Sequence, residues 1–113
     1  MAATKLPDPL SRRHLLEGVL EPAKARALAV AYLEAGREID AIDFLAKAGD
    51  REALEGLQTA AVERGDVFLM KAACRGLDEE ADAARWQALA DAAARNGRHR
   101  DAESALRLAA VDG

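Results

Sequence analysis

Three glycines set the plan of this chain. Gly36, Gly65 and Gly97 each close a stretch whose apolar residues recur at three- and four-residue steps, and they stand 29 and 32 residues apart. With the glycines in register, Leu28, Leu57 and Leu89 all lie eight residues before them, and Ala25, Leu54 and Trp86 lie eleven before. On the far side Ala41 and Ala102 lie five after, Leu45 and Leu106 nine after, and Ala48 and Ala109 twelve after. Steps of three and four place one apolar stripe along a helix. A glycine at its end releases the chain through the left-handed conformation without a side-chain clash. Small residues flanked by larger ones a turn away let two antiparallel helices cross closely, so the register predicts helical hairpins, most clearly over 27–50.

The same periodicity, read along the chain, predicts seven helices, at about 9–19, 22–35, 38–48, 51–64, 67–76, 79–96 and 98–110. Residues 1–8 show no apolar periodicity and are expected to form a mobile arm. That leaves 9–113 as a single helical domain, the size a chain of 113 residues supports. Asp8-Pro9 is a start signal, a cap acceptor followed by a proline whose missing N–H costs nothing in the first turn. Glu21-Pro22 repeats it, and Asp50 and Asp66 stand ready to cap the fourth and fifth helices. Gly76 is expected to end the fifth, and Asp78, Glu79, Glu80 and Asp82 to set negative charge on the positive end of the sixth. In the first helix Leu10, Leu15, Leu16 and Val19 or Leu20 are expected inside, with Arg12, Arg13, His14 and Glu17 turned to solvent. No segment alternates apolar and polar residues as a strand would.

Composition narrows the function. Half of the chain is hydrophobic but 4% is aromatic, which suits helices packed closely through alanine. The formal net charge is −4 and the sequence pI is about 5.2, which argues against a nucleic-acid partner, since such a surface is normally basic. No run approaches the roughly 20 apolar residues of a membrane span, and the first residues lack a signal-peptide core. The expected location is cytoplasmic. The single cysteine, Cys74, cannot form an internal disulfide and falls in an apolar stretch, where a free cysteine is commonly a small buried hydrophobe.

Trp86, Leu89, Ala90, Gly97, Ala102, Leu106 and Ala109 stand at the spacing of the tetratricopeptide repeat, as do Leu28, Ala29, Tyr32, Gly36, Ala41, Leu45 and Ala48. From about 22 to 110 the chain therefore resembles that family. The middle hairpin keeps Leu54, Leu57, Ala61 and Gly65, with Met70, Cys74 and Leu77 where the family has small, large and small residues. The period is shorter than the family's, about 34 residues, and the family's proline between repeats is absent. The resemblance implies an all-α fold: a right-handed stack of about three antiparallel helical hairpins plus an N-terminal helix, about seven helices in all. It also implies a concave wall built from the first helix of each hairpin. The outward positions of that wall would be Arg26, Val30, Leu33 and Glu34, then Glu55, Thr59, Val62 and Glu63, then Gln87, Asp91, Ala94 and Arg95. Family members that grip chaperone tails line the wall with Lys and Asn, a set this chain lacks. Val30, Leu33 and Val62 between acidic rims point instead to an amphipathic or basic partner segment.

Chemistry is sparse. His14 and His99 fall in different helices, neither belongs to an HExxH pattern, and one cysteine cannot build a zinc site, so no metal is expected. No glycine-rich phosphate loop is present. Asp40 and Asp43, like the acidic run at 78–82, read as solvated or capping charge rather than an acid–base pair. No catalytic residue and no cofactor is expected. A basic cluster, Arg95, Arg98, His99 and Arg100, surrounds the last hairpin turn and is either favourable charge at a helix end or a docking patch for an acidic partner. The expected function is a non-enzymatic scaffold that binds a protein or peptide segment. The alternative is a self-associating subunit, a homo-oligomer, because the last helix ends Leu106, Leu108, Ala109, Ala110 and Val111, less polar than a terminal repeat should be.

Overall fold

The computed structural model of the chain describes residues 5–111. These residues form seven helices and no strand: α1 (Pro9–Glu17), α2 (Pro22–Glu34), α3 (Glu38–Ala48), α4 (Arg51–Arg64), α5 (Val67–Leu77), α6 (Ala83–Arg95) and α7 (His99–Val111). Residues 1–4 of the expected N-terminal arm lie outside the described residues. The chain falls into two compact units, divided within α4 between Leu54 and Glu55.

The helix ends follow the local chemistry. The Asp8 carboxylate accepts from Ser11 N at 2.8 Å, with Pro9 in the first turn. Asp50, Asp66 and Asp82 accept in the same way from Ala53, Leu69 and Arg85. At the other ends one backbone motif recurs: Arg37 N donates to Tyr32 O at 2.8 Å while Gly36 N donates to Leu33 O at 3.0 Å. The equivalent pairs close α3 at Gly49, α4 at Gly65 and α6 at Gly97, satisfying carbonyls that a helix end would otherwise leave unpaired.

The link between α5 and α6 departs from the sequence reading. Gly76 does not stop α5, which continues to Leu77. Asp78 takes the left-handed conformation instead, at φ 56°, and the bonds Glu79 N to Cys74 O and Asp78 N to Arg75 O close the helix there. Short polar side chains such as aspartate tolerate that conformation. Helix α6 then begins at Ala83, so Asp82 caps it, and Asp78, Glu79 and Glu80 sit in the connection. The physical reason is Ala81, 2% exposed: the link dips to bury it before the helix starts.

In the first unit α2 and α3 form an antiparallel hairpin. Ala25, Leu28, Ala29 and Tyr32 of α2 are buried, with Ala41, Ile42, Phe44, Leu45 and Ala48 of α3. Helix α1 packs on α3 in a way the sequence did not foretell. Of the residues expected inside, Leu15, Leu16 and Leu20 are half-buried, while Leu10 is 63% exposed and Val19 stands fully in solvent. Arg12, expected to face water, turns inward. The apolar steps along α1 are too few to outweigh what α3 offers a cation, described below.

In the second unit α6 and α7 pack as a second hairpin, and α5 also touches α7. The core gathers Leu57, Ala61, Leu69, Met70, Trp86, Leu89 and Ala93. Gly65 lies against the Ala93 backbone so closely that a Cβ could not be accommodated, and it has φ +72°. Of α7, Ala105 alone is buried; Leu106, expected inside, is 48% exposed. As the last helix of the unit, α7 buries one narrow stripe, and Ala105 occupies it.

Candidate functional site

Four of the expected wall residues are brought together by α4. Glu55, Thr59, Val62 and Glu63 line one face of a recess of about 370 Å³, with Gln58 beneath them and Arg85 of α6 opposite. Their spacing on a regular helix puts them on one face, as the periodicity implied. Gln58 and Arg85 were not foreseen. Gln58 is 5% exposed, and a buried amide needs partners. Its Nε2 donates to Cys74 Sγ at 3.3 Å, and its Oε1 accepts from Arg85 Nη1 at 3.2 Å. The floor is thus a fixed polar bridge between α4, α5 and α6, while Val62 is half-buried and the Glu55, Thr59 and Glu63 side chains reach solvent. Such a recess can take a small apolar group beside a cation. It contains no histidine and no nucleophile with an activating base.

The remaining expected residues are not among those lining that recess. On α6, Asp91 and Arg95 are exposed, and Asp91 accepts from Gln87 Nε2 at 3.2 Å. In the first unit Arg26, Val30, Leu33 and Glu34 run along one face of α2. Val30 is 45% exposed and Leu33 half-buried, while Arg26 reaches Asp50 at 3.3 Å. The basic cluster Arg95, Arg98, His99 and Arg100 is exposed around the turn between α6 and α7. Arg98 is engaged there, 3.2 Å from Asp101 and 4.0 Å from Asp66, so it braces the start of α7.

A larger recess of about 480 Å³ lies where α5, the α5–α6 link, α6 and the end of α7 meet. Cys74, Ala81, Trp86, Leu108 and Val111 form its apolar side, and Lys71 stands on its rim. Cys74 is buried and free, as its apolar setting predicted. The recess itself was invisible to periodicity, because the residues come from three helices and a link.

The first unit holds a polar cluster around Arg12. Arg12 Nη2 donates to the Asp40 carbonyl and to Asp43 Oδ2, both at 2.9 Å. Its guanidinium carbon lies 5.5 Å from the Tyr32 ring centre and 5.3 Å from that of Phe44, and the two rings stack with centres 5.6 Å apart. Each such cation–ring contact is worth about 0.5–2 kcal/mol. Arg37 lies over Tyr32 as well, at 5.1 Å, and pairs with Asp40 Oδ2 at 2.8 Å. Burial works against the Arg12 charge, but hydrogen bonding and attraction to Asp43, with a smaller part from Tyr32, outweigh it and hold the group above its ordinary value. The Tyr32 part comes from hydrogen bonding and attraction at the Arg12 guanidinium, although the Tyr32 hydroxyl and Arg12 Nε are both buried without a well-aligned hydrogen bond among the described residues.

Among the described residues no three His, Cys, Asp or Glu side chains converge as a metal ion requires, and no helix is long and apolar enough to cross a membrane. Comparison of the chain with protein-family models, with curated proteins and with solved structures found no match in any of the three.

Proposed function

We propose that the chain is a non-enzymatic, cytoplasmic interaction module built of tetratricopeptide-like hairpins, and that it grips a segment of another protein in the α4 recess. The observation that carries this reading is the convergence of Glu55, Thr59, Val62 and Glu63 on one recess with a rigid polar floor. A preformed site reduces the ordering cost of binding. The Glu63 carboxylate next to the half-buried Val62 favours a segment with a basic residue beside a small apolar one. A lone cysteine fits a reducing compartment.

Selection of random twelve-residue peptides on the intact chain tests the reading. Enriched peptides should carry Lys or Arg next to a small apolar residue, and Val62→Asp or Glu63→Lys should weaken them at least tenfold with an unchanged circular dichroism spectrum. Peptides that bind equally to both variants would remove the α4 site.

A second reading, self-association, rests on Leu106 and Val111, 48% and 81% exposed on α7. It requires a dimer by light scattering that Leu106→Glu dissolves, and a strict monomer ends it.

A further inference from the structure

Polar contacts do much of the fastening of helix α1 to its unit. None of its nine residues is buried. Beside the half-buried Leu15 and Leu16, what holds it is Arg12, in the recess formed by Tyr32, Phe44, Asp40 and Asp43, and Lys47, whose Nζ donates to the Gly18 carbonyl just past the helix end at 2.8 Å. A helix this short does not persist in water without docking. The link that follows it is open to solvent, with Val19 fully exposed.

We propose that the recess of Tyr32, Phe44, Asp40 and Asp43 is a receptor for an arginine side chain, and that Arg12 fills it from within until an arginine on a partner segment displaces α1. The recess has the chemistry of such a receptor. Stacked rings accept a flat, delocalised cation, and the Asp43 carboxylate and Asp40 carbonyl stand 2.9 Å from the nitrogen they bind. Lysine, a compact and strongly hydrated charge, fits this arrangement poorly. The Asp40 carboxylate is shared, 2.8 Å from Arg37 Nε and 3.8 Å from Arg12 Nη2, so Asp43 is the closer carboxylate for the incoming cation.

The internal ligand is also an imperfect one. Arg12 Nε and the Tyr32 hydroxyl are both buried in this one recess, and the interaction between Arg12 and Tyr32 leaves neither atom with a well-aligned hydrogen bond among the described residues. An unmet polar atom away from water weakens the occupied state. An arginine on a backbone not fixed by α1 is free to donate Nε to that hydroxyl while keeping Asp43. A second copy of this chain would bring the same helix and the same mismatch, so the chemistry favours a different partner. The recess belongs to α1, α2 and α3 and stands independently of the α4 recess.

The test uses the full chain with Arg12→Ala and two short acetylated, amidated probes, Gly-Ser-Arg-Ser-Gly and its lysine counterpart. Binding is followed by amide chemical shifts of residues 32–44. The arginine probe should shift these amides saturably in Arg12→Ala, at least tenfold more tightly than in the wild-type chain and than the lysine probe does. Adding Asp43→Asn should abolish the response. Arg12→Lys, which leaves a weaker occupant in place, should give an intermediate affinity and retains a cation should the alanine variant unfold. Equal response to both probes, or no gain when Arg12 is removed, overturns the proposal. So does loss of the α2–α3 hairpin in both variants, which would make Arg12 a structural clamp. A wild-type dimer by light scattering that Arg12→Ala abolishes would assign the recess to a second copy and end the partner proposal.

Discussion

Single residues here differ in how far a substitution can be tolerated, and the two kinds of stop glycine show it. At Gly36 a side chain would meet open space, so Gly36→Ala should cost about 1 kcal/mol, the strain of the left-handed conformation. At Gly65 the same strain is joined by collision with the Ala93 backbone, and Gly65→Ala should cost about 3 kcal/mol or more. Urea titration separates the two, and similar midpoints would contradict the close approach. Asp8 gives a pH signature. Its carboxyl is held below its ordinary value of about 3.8, chiefly by the backbone N–H of Ser11. A group whose folded pKa is depressed stabilises above the unfolded value and loses that contribution as pH falls through the folded one. The Ser11 amide should therefore keep its bonded chemical shift at pH 5 and lose it between about pH 3.8 and lower values. Asp8→Asn should flatten the profile.

At the level of elements, the places where helices begin and end were largely written in the residues beside them. Asp8-Pro9, Asp66 and Gly36 act within one turn of the backbone they control, so a local reading finds them. The link between α5 and α6 departs from the local pattern because a local signal competes with a tertiary one. Gly76 promised a stop, but the burial of Ala81 fixes where the chain must turn, and that depends on the packed unit. Asp78 consequently bears a left-handed strain that glycine would not. Asp78→Gly should stabilise the chain by about 1 kcal/mol, whereas Asp82→Ala should cost about 1 kcal/mol by removing the cap of α6. Thermal denaturation of the two variants should move in opposite directions. If both fell, the left-handed strain at Asp78 would not be the term that matters there.

At the scale of the whole molecule, an acidic chain concentrates its proposed cation-binding chemistry at carboxylates, Glu63 on α4 and Asp43 on α3. Exposed charge pairs are screened over about 8–10 Å at physiological salt. Affinity of a selected basic peptide for the α4 recess should therefore fall roughly tenfold as sodium chloride rises from about 0.05 to 0.5 M, measured by fluorescence anisotropy. A flat response would assign the binding to Val62 and its apolar neighbours.

Sequence by itself determined the helix type, the register of the stop glycines, the alanine-rich core from Ala25 to Ala105 and the shared face of Glu55, Thr59, Val62 and Glu63. All of these are properties of a repeating backbone and are legible wherever the period is regular. Tertiary structure alone decided that Arg12 turns inward, that Gln58 bridges Cys74 and Arg85, and that α7 leaves Leu106 in water. Each of those outcomes depends on groups from other helices: the partners of Arg12 lie 28 and 31 residues away, and those of Gln58 lie 16 and 27 away. Whether a polar side chain is buried follows from the partners that folding brings to it, and helical periodicity carries no record of them.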